Sequence, residues 1–64
     1  MVKVGSIWRT ADDKRFMVIN VVEAEGHTWI HYREHILKKP AIECKEYSCY
    51  EESFVERFSE SQND

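Results

Sequence analysis

From Lys14 to Glu34 the chain runs KRFMVINVVEAEGHTWIHYRE, and its apolar positions predict two long antiparallel strands joined at Glu25-Gly26. The first arm, Phe16 to Val22, is apolar except at Asn20, and its β-branched and aromatic content favours a pleated strand over a short helix. The second arm separates cleanly by alternation: Thr28, Ile30 and Tyr32 on an inward face, His27, Trp29, His31 and Arg33 on the other. The same alternation puts Phe16, Val18 and Val22 inward and Met17, Ile19 and Val21 outward, unless a bulge at Asn20 changes the phase. Gly26 supplies the positive φ that tight hairpin turns use.

The flanking segments are shorter. Val2, Val4, Ile7 and Trp8 around Gly5 predict a first strand bent or bulged at the glycine, with Trp8 as a core anchor. Thr10 to Lys14 is a polar turn. His35 to Ala41 holds two lysines and the only proline, which places it in a loop carrying a small positive patch. Glu43 to Ser48 predicts a further strand. Ser48 and Glu51 fit a capping box, and Tyr50, Phe54 and Phe58, with Val55 beside them, give the following short helix one apolar face. Ser59 to Asp64 lacks a hydrophobic anchor and is expected to fray.

Length then sharpens this picture. Sixty-four residues make one small domain, expected over residues 1–58 with a flexible acidic tail over 59–64, and its core must use most of the large apolar side chains. Nothing resembles a membrane span or a signal peptide, so a cytoplasmic location without membrane association is expected. Nine Lys and Arg against twelve Asp and Glu give a net charge of −3, opposite to the usual footprint of a duplex binder. Most of the excess acid follows Glu43.

The succession Val4-Gly5-Ser6-Ile7-Trp8-Arg9, Arg15-Phe16-x-Val18-x-x-Val21, Trp29-Ile30-x-Tyr32-Arg33 and Phe54-x-x-x-Phe58 resembles small SH3-like barrel proteins encoded by bacteriophages. The resemblance covers most of the chain. It implies an all-β fold, a small SH3-like barrel of four or five antiparallel strands with a short C-terminal helical turn, and a phage origin with a host or phage protein as partner. It implies no activity.

Candidate chemistry adds little. Cys44 and Cys49 have neither zinc-knuckle nor Cys-x-x-Cys spacing. His27 and His31 share a strand face but lie roughly 13 Å apart along it, too far to share a metal ion. Two scattered glycines cannot cradle a phosphate, and no carboxylate pair or nucleophile with a base stands out. No catalytic residue, metal ligand or cofactor is therefore assigned, and a non-catalytic protein is expected. The strongest functional signal is apolar material outside the core. Trp29, Met17, Ile19, His31 and Arg33 would form an outer patch with the composition of a protein-binding hot spot, unless Ile36 and Leu37 cover it. The leading expectation is thus a protein-binding module that attaches to a host protein and alters its activity, with a self-pairing homodimer as a further arrangement. A nucleic-acid binder is the alternative, stacking bases on Trp29 or Tyr32 and meeting phosphates with Arg15, Arg33, Lys38 and Lys39. A third reading is an acidic nucleic-acid mimic presenting Glu51, Glu52, Glu56 and Glu60.

Overall fold

In the computed structural model, which describes residues 2–61, the central segment forms the predicted hairpin. Strands β2 (Arg15–Ala24) and β3 (His27–Glu34) pair antiparallel across a two-residue turn. Glu25 and Gly26 have φ of 54° and 79°, and two consecutive left-handed residues define the type I′ turn, whose twist matches that of its strands. Gly26 adopts this geometry freely, whereas Glu25 forces a Cβ into it at a cost of about 1 kcal/mol. Glu25→Asn is accordingly expected to raise the melting temperature by roughly 2–5 °C, because Asn tolerates the left-handed region better. Thermal denaturation followed by circular dichroism checks this, and a lowered Tm would contradict the strain argument.

Three further strands complete one antiparallel sheet in the order β4-β3-β2-β1-β5, where β1 is Ile7–Arg9, β4 is Glu46–Tyr50 and β5 is Ser59–Glu60. A short helix α1 (Glu51–Arg57) connects β4 to β5, and a 3-10 turn spans Ala41–Glu43. The all-β class, the strand number and the C-terminal helical turn agree with the sequence reading. The sheet, however, is open: β4 and β5 occupy opposite edges and do not pair, so the strands do not close into a barrel. Helix α1 crosses the inner face instead, because Phe54 and Phe58 must be buried and the sheet alone offers only one side to them.

Trp8, Phe16, Val18, Ile30, Tyr32 and Phe54 share one core, as predicted, together with Val2, Val21, Cys49 and Phe58. Phe54 and Ile30 are completely buried. Aromatic rings hold the centre, with Trp8 edge-on to Phe54 at 5.0 Å and Phe54 stacked on Phe58 at 4.5 Å. The buried indole N–H of Trp8 donates to Ser6 Oγ at 2.8 Å, so the ring enters the core without an orphaned donor.

Several local expectations are corrected. The first strand is only Ile7–Arg9, since Gly5 sits in a turn at φ 91°. The ladder between β2 and β3 shifts register between Val18 and Asn20, so Ile19 is an extra residue that opposes His31 together with Asn20. This bulge turns Val21 inward onto the core and Val22 outward, reversing the simple alternation for both. Ser48 makes no helix cap. It belongs to β4, opposite His31, and the helix starts after Tyr50 without a side-chain cap. Tyr50 lies opposite Trp29 in the sheet and Val55 is half exposed, so neither belongs to the helix's buried face. Ser59 and Glu60 pair with Arg9 and Trp8, which extends the ordered domain past 58; the remainder of the expected tail, 62–64, lies outside the described residues.

Candidate functional site

The pleat and the bulge together decide what the outer face presents. Residues directly opposite in an antiparallel ladder share a face, so Val22, Trp29 and Tyr50 form one outer row, and Asn20, His31 and Ser48 the next. A further row follows the strands to Ile7, Met17, Arg33 and Glu46. The predicted patch is therefore brought together on one surface, with Trp29, Met17, Ile19, His31 and Arg33 all part-exposed. Tyr50 makes an edge contact with Trp29 at 4.5 Å and stacks flat on His27 at 4.4 Å. Tyr50 and Val22 are members of this patch that sequence reasoning missed, and His27, which alternation placed on this face, joins it through Tyr50. Extending the alternation of Glu46 to Ser48 by two residues would have found Tyr50; the bulge that exposes Val22 has no comparably direct signal.

Coverage by the Ile36-Leu37 loop is slight. Leu37 is 88% exposed and Ile36 44%, and the loop borders only the Met17 and Arg33 end, where a shallow cleft is lined by Met17, Arg33, Ile36, Leu37, Ala41 and Cys44. Trp29 stands four residues further along β3, roughly 13 Å from Arg33. Among the described residues, the aromatic end of the face thus has no helix over it, since α1 packs against the other side of β3 and β4.

The cationic residues of the nucleic-acid alternative lie toward the opposite end, away from Trp29. The His35 N–H donates to the Arg15 carbonyl at 2.9 Å, which ties Arg15 to the start of the lysine loop. Lys38 is exposed, while Lys39 lies 4.0 Å from the Glu34 carboxylate, which offsets part of that loop's charge. Tyr32 is buried and donates no free ring face to a base, so its proposed stacking role is withdrawn. Of the acidic set, Glu52 and Glu56 are exposed on α1, Glu51 is half-buried and Glu60 lies on β5.

Beneath the sheet, Arg57 Nη2 donates to Tyr32 Oη at 3.1 Å and its guanidinium lies over the Phe58 ring. Burial pushes the Tyr32 phenol up, with the neighbouring Cys49 adding to the rise and Arg57 opposing it; burial likewise pushes the Cys49 thiol up. Both groups lose a proton to become charged, so the folded chain keeps these protons to higher pH than the unfolded chain. The resulting stability is complete below the ordinary thiol and phenol values of 9.0 and 10.0 and is lost as pH rises through the raised ones. Denaturant midpoints are expected to fall above about pH 9, and Cys49→Ala to flatten the early part of that fall. A midpoint with the same pH dependence in wild type and variant would remove Cys49 from this account.

Cys44 is buried near the Pro40 carbonyl and Cys49 lies on the inner face opposite Ile30, both as free thiols. Among the described residues, no three His, Cys, Asp or Glu side chains converge in a geometry that could hold a metal ion, and no helix is long and apolar enough to cross a membrane. Comparison of the chain with family models, with curated proteins and with solved structures gives no match.

Proposed function

We propose that the chain is a non-catalytic protein-binding module that engages its partner through the outer face of the central hairpin. The observation that carries this reading is the part-exposed apolar row of Val22, Trp29 and Tyr50, with His27 stacked beside it and no element of the described chain over it. A large, preorganised aromatic surface bordered by His31 and Arg33 is what desolvation by a protein partner rewards most. The phage-protein resemblance makes a host protein, altered in activity by being bound, the natural partner. Affinity capture with wild-type chain and with Trp29→Ala tests the reading: a partner retained by the first and lost by the second supports it. Steep loss of oligonucleotide binding with salt, abolished by Lys38→Ala with Lys39→Ala, would replace it with the nucleic-acid alternative.

A further inference from the structure

We propose that the partner of the outer face is an acidic protein segment, whose carboxylates meet Arg33, Arg9 and Arg15 while an apolar residue of the same segment packs on the row of Val22, Trp29 and Tyr50. This rests on the protein-binding reading of that face and adds the partner's charge. The motivation is the way charge divides between the two sides of the sheet. Arg9 and Arg15 lie directly opposite each other, and Arg33 lies opposite Met17 and Glu46. Trp8, Phe16 and Tyr32 point into the core, so alternation turns all three arginines outward. Among the described strand residues, Glu46 is the one carboxylate on their side, and Asp13, 3.7 Å from Arg9, offsets part of their charge. The helix side carries Glu51, Glu52 and Glu56 on α1 and Glu60 on β5, against Arg57. A chain of net charge −3 thus turns a basic face outward, and such a face attracts and orients an acidic partner.

Position along the face decides which anion fits. Among the described residues Arg33 closes no ion pair, although Glu46 stands across the ladder from it, so its guanidinium can take a carboxylate in fork geometry. Lys39 lines the same shallow cleft as Arg33 and Met17. The row of Arg9 and Arg15 follows one pleat further on, roughly 20 Å from Trp29. The rows that hold Val22, Trp29, Tyr50 and His27 include no lysine or arginine. A nucleic acid brings a phosphate at every step and would lay several of them over this end, where no such cation meets them. A protein segment can instead place an apolar anchor there and, in an extended conformation, its acids about four and six residues away. The face therefore selects a divided sequence, apolar at one end and acidic at the other.

A displayed library of random dodecapeptides, selected on the wild-type chain at low salt, is expected to return sequences that join an aromatic or aliphatic residue to several Asp or Glu. A synthetic copy of the most enriched peptide should bind Arg33→Glu about tenfold more weakly than wild type, and the difference should narrow as salt rises. Replacing the acids of that peptide by lysine should reverse the preference. Arg33→Gln, which removes the charge without setting a second carboxylate against Glu46, should weaken binding about threefold and keeps the test in force if Arg33→Glu does not fold. Enriched peptides without acidic bias, or acidic ones indifferent to Arg33, would overturn the proposal, and the protein-binding reading would still stand if Trp29→Ala abolished their binding. Peptides indifferent to Trp29→Ala would overturn that reading and the proposal with it. The same holds if no sequence is enriched, or if a thymidine oligonucleotide binds more tightly than the peptide with the same dependence on Arg33.

Discussion

Phe54→Ala is expected to leave the chain unfolded at 25 °C. Phe54 is fully buried and its ring meets Trp8, Tyr32 and Phe58 within 5.2 Å between centroids, so truncation opens a cavity in the middle of the packing between helix and sheet. Removing such a ring costs about 3–5 kcal/mol. A domain this small is stable by only about 3–5 kcal/mol in total, because its surface is large relative to its core. The two magnitudes are equal, and the folded state loses. Val55→Ala, one position along on the exposed side of α1, should change stability by less than about 0.5 kcal/mol. Far-UV circular dichroism and amide dispersion in a proton–nitrogen correlation spectrum distinguish the outcomes; a well-dispersed Phe54→Ala spectrum would mean that the helix is not the lid of this core.

Trp29→Ala should weaken partner binding by about 2 kcal/mol or more, some thirtyfold in Kd, while costing the isolated domain only about 1 kcal/mol. The asymmetry comes from where the ring stands. In the free chain its defined ring partner is Tyr50, an edge contact of the kind worth about 0.5–1.5 kcal/mol. In a complex the whole outer row would lose water together, and an indole at its centre contributes far more there than at a half-wet surface. Tyr50→Ala should show the same ordering with a smaller effect on binding, and Val55→Ala, on the opposite side of the molecule, none. Titration calorimetry against the captured partner, with thermal melts of each variant, measures both quantities. An unfolded Trp29→Ala would place the ring in the core, and unchanged binding would move the interface to another surface.

Alternation by itself determined a good deal. The period of two in Thr28 to Arg33 fixed which face of β3 is buried, and Ile30 and Tyr32 are indeed buried while Trp29, His31 and Arg33 are not. Gly26 located the hairpin turn, because glycine enters the left-handed region without strain. The i, i+4 spacing of Phe54 and Phe58, with polar Glu56 at the i+2 position between them where a strand with the same inner face would need an apolar residue, located a helix. These are local properties, decided within a few residues of chain.

Tertiary structure decided the rest, and in each case by a pairing between distant segments. The bulge at Ile19 arises from registering β2 against β3 and β1 at once, and it alone settles that Val21 is core and Val22 is surface. Tyr50 fits the helix's i, i+4 stripe equally well in sequence, but pairing with Trp29 draws it into β4, and the same competition takes Ser48 from a helix cap into the ladder. Ser59 and Glu60 have no apolar character to predict a strand; they pair because α1 delivers them beside Trp8 and Arg9, where unsatisfied backbone groups await. Even the openness of the sheet is of this kind. Two aromatic rings, one on the short helix and one on the residue that ends it, fill the space that closing strands would otherwise occupy, and volume of that sort is a property of the packed molecule that no periodicity along the chain records.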